Sequence, residues 1–241
     1  MTDDIARESG DERPRRTWSL IVTVMGDLTH ERGGSVDGPV LRAILDVLGA
    51  NAQAVRTALH RLRADGWIET KRDGRISRHR LSPRALAETR AAAARVYGPE
   101  APMPKVWSLI TAGTSDGTSA RLGAGLYLRA GPLAGDPGLE GTRLRLSGTQ
   151  QDTLWPADLR EDCAALEAQL ATTEQAQRRT PEDIAAQRAL IVHDWRRIVL
   201  RAPALPDILG PPDWRGASTR AAVRARLAAL PLPTFSDPGR S

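Results

Sequence analysis

The stretch NAQAVRTALHRLRADG (residues 51–66), continued by WIETKRDGRISRHRL (residues 67–81), decides how this chain is read. In its first half Asn51 is a favourable helix N-cap, Val55, Ala58, Leu59 and Leu62 recur at helical spacing, and Gly66 is a stop signal. A helix is expected from Asn51 through Asp65. In its second half, two segments of alternating character flank Asp73-Gly74, a strong hairpin signal. Upstream, Val40, Leu41, Ile44, Leu45 and Leu48 form one apolar stripe between a capping Asp37 and Gly49. Earlier still, Trp18, Ile21, Val24, Met25 and Leu28 mark a helix closed by Gly33-Gly34. Three short helices followed by a two-stranded hairpin is the order of a winged helix-turn-helix, whose second motif helix enters the major groove of DNA.

The residue types on the expected third helix suit that task. With Leu59 taken as its buried centre, Gln53, Thr57 and His60 are expected on the opposite face, with Arg56 and Arg61 on the flanks. Arginine can bond both acceptors of guanine, and glutamine the acceptor–donor pair of adenine, each good bidentate contact discriminating by about 1–3 kcal/mol. Gln53 and Arg56 therefore lead a base-reading set completed by Thr57, His60 and Arg61. The hairpin carries Lys71, Arg72, Arg75, Arg78 and Arg80, which suit phosphate contacts that position a protein without reading sequence. Residues 51–84 hold nine basic and three acidic side chains, so the positive excess concentrates on the two elements that would face a duplex. The alternative is a winged-helix protein-interaction module, its cations merely solvated. An arginine-rich composition, with 32 of the 34 basic residues arginine, favours that alternative; the clustering favours DNA.

The rest of the chain sets bounds. At 241 residues, with 41% apolar and 26% charged residues, it can form one large or two to three small globular domains. The apolar run Leu20 to Met25 is broken by Thr23 and falls far short of the roughly 18 residues a membrane helix needs. The acidic start has no apolar segment and does not read as a secretory signal, so a cytoplasmic protein without a membrane partner is expected. Cys163, the one cysteine, excludes internal disulfides and reads as a small buried hydrophobe. The four histidines lack metal-ligand spacing, so no metal and no resident cofactor is expected.

Punctuation divides the chain into a disordered tail (1–14), a winged-helix domain (15–97), a central α+β domain (105–178), a helical C-terminal domain (179–232) and a second tail (233–241). The cluster Gly98-Pro99, Pro102 and Pro104 is the linker. Strands are expected at Val106–Ile110, Leu126–Leu128 and Arg143–Leu146. Helices are expected around Leu159, Cys163, Leu166 and Leu170, after Thr180-Pro181, and over Ser218–Leu230. Gly113-Thr114-Ser115-Asp116-Gly117 matches a nucleophile elbow, which makes a hydrolase using Ser115 and His193 a formal alternative. The residues after Ser115 make a poor buried helix and the strands are too few for an α/β-hydrolase, so the chain is not read as an enzyme.

Several of these residues also carry a resemblance. Trp18-Ser19-Leu20-Ile21-Val22-Thr23, Gly26-Asp27, Val55-Arg56-Thr57-Ala58-Leu59-His60-Arg61-Leu62, Gly66-Trp67 and Gly74-Arg75-Ile76-Ser77 resemble the PaaX family of phenylacetic-acid catabolic repressors. The likeness continues in His193-Asp194-Trp195-Arg196-Arg197, Leu205-Pro206 and Asp213-Trp214-Arg215-Gly216, and so runs in order over residues 16 to 230. It implies an N-terminal winged helix-turn-helix, a central ferredoxin-like (Cas2-like) α+β domain and a helical C-terminal domain. It further implies a homodimeric repressor of an aromatic-acid operon, bound to double-stranded operator DNA and released by an aryl-acyl-CoA such as phenylacetyl-CoA. The segments Thr111 to Ala124 and Pro132 to Gly141 are Gly-rich where the family has helices. For an acyl-CoA effector, His193, Arg196 and Arg197 are the candidate phosphate contacts, because guanidinium groups grip phosphates in fork geometry. The competing reading is an Asp–Arg network fixing the C-terminal helices around Trp195.

Overall fold

A computed structural model of the protein describes residues 17–31, 34–111, 119–133, 135, 137–172 and 180–235. The expected N-terminal tail, the GxSxG segment with Ser115, and residues 236–241 lie outside the described residues. Among those described, the fold is mixed α+β, with eight α-helices and two antiparallel sheets of three and four strands. No helix there is long and apolar enough to cross a membrane. The chain divides into two compact units, each built from separated stretches of sequence.

One unit takes residues 17–31, 34–97, 180–196 and 223–235. It runs α1 (Thr17–Thr29), β1 (Val36–Asp37), α2 (Gly38–Val47), α3 (Ala52–Ala64), the hairpin β2 (Ile68–Asp73) and β3 (Ile76–Leu81), and α4 (Pro83–Tyr97). Its core joins Ile21, Val24 and Met25 of α1 to Leu41, Ile44 and Leu45 of α2 and to Val55, Ala58 and Leu62 of α3. Ile68 and Leu81 of the hairpin close one side, and Ala185, Ala186 and Ala189, from the later helix α7 (Pro181–Arg201), another. Each of these side chains leaves water almost completely, and a fully buried Leu, Ile, Val or Met is worth about 1.5–3 kcal/mol. The helix starts and stops are local. Asn51 Oδ1 accepts from the backbone N–H groups of Gln53 (2.8 Å) and Ala54 (3.4 Å), satisfying two of the orphan donors of α3. Gly66, at φ +69°, turns the chain out of α3 in a conformation a side chain would strain.

Three local expectations shift. Asp37 stands at the N-cap of α2 but makes no cap hydrogen bond; its carboxylate instead meets Arg78 at 3.1 Å. Leu59 is only partly buried, and the inner stripe of α3 runs through Val55, Ala58 and Leu62. Asp73 pairs with Ile76, so the hairpin loop is Gly74-Arg75, one residue later than the Asp-Gly signal suggests, with Gly74 at φ +58°.

The other unit takes residues 98–111, 119–133, 135, 137–172 and 197–222. Its sheet contains β4 (Trp107–Ile110), β5 (Ser119–Gly123), β6 (Leu126–Ala130) and β7 (Gly138–Gly141) in the order β5-β6-β4-β7. The helices are α5 (Gly148–Leu154), α6 (Ala157–Thr172), the end of α7 and the start of α8 (Gly216–Ala229). Leu159, Cys163, Leu166 and Leu170 form the buried stripe of α6 as expected. Burial pushes the Cys163 thiol up to about 11, and its sulfur bonds the Thr219 hydroxyl at 3.2 Å. Trp155 is buried against Trp214, whose indole N–H donates to Asp207 at 2.8 Å.

One expectation for this unit fails. Arg143–Leu146 forms no strand, and the fourth strand is the fully exposed Gly138–Gly141. Period-two alternation reports a half-buried surface, whereas an exposed edge strand has no such pattern and is defined only by its backbone partner, here β4. Every pairing in the sheet is antiparallel, including the central β4–β6 pair with Ile110 opposite Tyr127. Together with α5 and α6 of the same unit, this four-stranded antiparallel sheet makes the central segment mixed α+β, as expected.

Candidate nucleic-acid interface

Gln53, Arg56, Thr57, His60 and Arg61 are all exposed on α3. At about 100° per residue, the stripe Val55–Ala58–Leu62 leaves Gln53 and His60 at the middle of the outward face, Arg56 and Thr57 on either side of it, and Arg61 towards the margin. Arg61 lies 3.7 Å from Asp65, one turn on. Arg56 donates to Gln53 Oε1 through both Nε (3.1 Å) and Nη2 (2.5 Å). Arg63 is also exposed and was not singled out by sequence; the same helical arithmetic, applied once the true stripe is known, places it beside Arg56.

The hairpin sorts its five cations by register. Glu69 faces Arg80 across the strands, and the carboxylate accepts from Arg80 Nε at 2.8 Å. Lys71 faces Arg78, a like-charge pair that would be unfavourable alone. Asp37 and Asp73 relieve it by meeting Arg78 at 3.1 and 3.3 Å. Lys71, Arg72 and Arg75 are exposed and make no ion pair among the described residues. Beneath them His79 is buried on β3 and hydrogen-bonded to Thr70, directly opposite, at 2.9 Å. Burial first, and the Arg63 charge second, hold the His79 imidazole below its ordinary value.

The C-terminal candidates are placed differently. His193 is buried, with Nδ1 3.4 Å from Thr23 Oγ1 on α1, and Arg196 Nη1 donates to the same hydroxyl at 3.0 Å. Burial lowers the Arg196 guanidinium, an effect opposed in part by nearby Tyr97. Arg197 is grouped with the other unit. Trp195 is in the core, its indole N–H donating to Val96 O at 2.9 Å.

Sequence reasoning missed a buried cluster in this unit. The Asp27 carboxylate accepts from Arg188 Nε (2.8 Å) and Nη2 (3.0 Å) and from the Tyr97 hydroxyl (2.9 Å). Arg188 Nη1 also donates to the carbonyls of Leu227 (3.1 Å) and Leu230, near the end of α8. Tyr97 stacks on His30 at 4.3 Å, and its phenol is held protonated far above the usual range by burial and by Asp27. A lone aspartate in the apolar run of α1 was the available signal; its partner lies 161 residues away.

Comparison with known proteins matches this arrangement at both ends. A family model described as PaaX-like protein covers residues 16–85, and one described as PaaX-like protein C-terminal domain covers residues 157–231. The transcriptional repressor PaaX of Escherichia coli K12 is 29% identical over 267 aligned positions, covering 92% of this chain and 84% of the repressor. Among solved structures, the uncharacterized protein Rv0674 from Mycobacterium tuberculosis shares the fold, with a TM-score of 0.51 at 21% identity over 88% of this chain and 94% of that one. The N-terminal match takes in α1 to α3 and the whole hairpin, and the C-terminal match takes in His193, Arg196 and the Trp214 turn, in the order the sequence motifs predict. With both halves of the signature carried in one chain, this protein belongs to the PaaX family.

Proposed function

We propose that the chain is a DNA-binding transcriptional regulator, a repressor rather than an enzyme, whose residues 17–97 act as a winged helix-turn-helix. Its α3 lies in the major groove and β2–β3 is the wing. One observation carries the reading: the outward face of α3 is open to solvent, and the adjoining hairpin offers three exposed cations, Lys71, Arg72 and Arg75, with no ion pair among the described residues. The first set can reach base edges and the second phosphates. The related repressor supplies the regulatory sense. The protein works in the cytoplasm as a homodimer on a palindromic operator, with half-sites about 34–36 Å apart or a multiple of that.

The effector is an aryl-acyl-CoA of the phenylacetyl type, with Arg196 its anion contact. What supports this is the half-buried Arg196 guanidinium, which among the described residues bonds the neutral Thr23 hydroxyl and has no carboxylate at ion-pair distance. A partly desolvated cation without a nearby counter-charge is unfavourable, and an anionic ligand would offset that cost. The test is a binding titration on DNA from upstream of the protein's own gene. Retardation that falls steeply with salt, loss of sequence preference in Arg56→Ala, and release by phenylacetyl-CoA in the wild type but not in Arg196→Ala are the expected results. Equal affinity for unrelated duplexes would sink the reading.

A further inference from the structure

The hydrogen bond between Gln53 and Arg56 has a chemical direction. Guanidinium carries donors only, so the Gln53 amide must turn its oxygen towards Arg56, and both the Nε and the Nη2 hydrogens converge on that one atom. Its two lone pairs are thereby used. Outward the pair presents the two N–H donors of the amide and the three remaining donors of the guanidinium, and no acceptor. The free Nη1–Nη2 edge keeps the fork geometry that matches guanine O6 and N7. Both residues stand in the N-terminal half of α3, the part of a recognition helix that meets base edges. Three residues of helix rise about 4.5 Å, close to one base-pair step of 3.4 Å.

We propose that Gln53 and Arg56 form a single donor-only reading head, which selects two neighbouring bases that present keto oxygens in the major groove: guanine under Arg56, and guanine or thymine under Gln53. This rests on α3 being the DNA-reading helix. It replaces the pairing of glutamine with adenine expected from residue type alone, because that pairing needs the amide oxygen free to accept from adenine N6. Adenine and cytosine, with amino groups at the reading edge, are rejected donor against donor. The two positions are also coupled, since the oxygen that stops Gln53 from reading adenine is the one that aims Arg56.

The full-length protein and its Gln53→Ala, Gln53→Glu and Arg56→Ala variants are each selected against a randomised duplex library, and the enriched sites are sequenced and titrated by fluorescence anisotropy. All three changes are on an exposed face, away from the core. The wild type is expected to enrich guanine beside guanine or thymine, and an amino base at either position should weaken binding roughly 5- to 150-fold, the range a good bidentate contact spans. Gln53→Ala should relax both positions. Gln53→Glu should keep guanine under Arg56 and turn the neighbour towards cytosine, whose N4 donates to a carboxylate. Enrichment of adenine at the Gln53 position, or relaxation of that position alone in Gln53→Ala, overturns the proposal while leaving α3 as the reader. Absence of any enriched site for the wild type overturns the reader as well.

Discussion

Replacing Arg80 by alanine should leave the salt dependence of DNA binding nearly unchanged, while replacing Arg75 should flatten it. Residue counting would credit the wing with five phosphate contacts, but the register sets Arg80 against Glu69, and Arg78 between Asp37 and Asp73. Three cations remain. Each phosphate neutralised contributes about 0.9 to the slope of log affinity against log salt, so between 50 and 200 mM one contact is worth about 3.5-fold. Three contacts then account for about a 40-fold loss per wing, where five would give about 500-fold. Anisotropy titrations of a fixed operator duplex over that range measure the slope directly. Arg75→Ala should lower it by about 0.9 per wing engaged, Arg80→Ala by much less, and Glu69→Gln should raise it by freeing Arg80. If Arg80→Ala flattens the slope as much as Arg75→Ala, then Arg80 abandons Glu69 for phosphate and static pairing does not decide which wing cations bind.

Further outcomes follow from the buried groups. Asp27→Asn or Arg188→Met should destabilise the fold by about 3–5 kcal/mol in a denaturant titration, since each strands a buried partner, and the double apolar replacement Asp27→Leu with Arg188→Met should recover much of that loss. Asn51→Ala should cost about 0.5–2 kcal/mol and speed amide exchange in the first turn of α3, with Asn51→Asp close to neutral. Because His79 is held below its ordinary 6.5, the folded ring stays neutral when the unfolded one has begun to take up a proton. Stability is therefore full above pH 6.5 and falls as the pH drops below it; melting curves between pH 7.5 and 5 should show this, and His79→Gln should lose that part of the slope. Cys163 should resist thiol alkylation at pH 8 until the protein is denatured, being fully buried with its thiol raised to about 11.

The helices and hairpin around α3 were legible because their signals are short-range. Asn51, Gly66 and the alternation on either side of Asp73-Gly74 act within a few residues of themselves, and the observed caps and strands follow them to within one position. The same kind of signal was present and unused at Ser147, whose capping box with Gln150 opens α5. β7 could not be read, because Gly138–Gly141 is exposed along its whole length and carries no burial pattern. The base-reading and wing residues could be named from type and spacing, but their state could not. Nothing in composition distinguishes Arg75, which has no ion pair among the described residues, from Arg80, which faces Glu69 only because the register aligns them.

Local order along the backbone, the apolar faces, and the concentration of positive charge on one helix and one hairpin were thus set by the amino-acid sequence alone, since propensity, capping and turn chemistry depend on near neighbours. Partnership was decided by tertiary structure. Asp27 meets Arg188, Thr23 meets Arg196 and Asp37 meets Arg78 because packing brings them within hydrogen-bond reach, and the strength of such contacts depends on separation in space and on the surrounding dielectric rather than on distance along the chain.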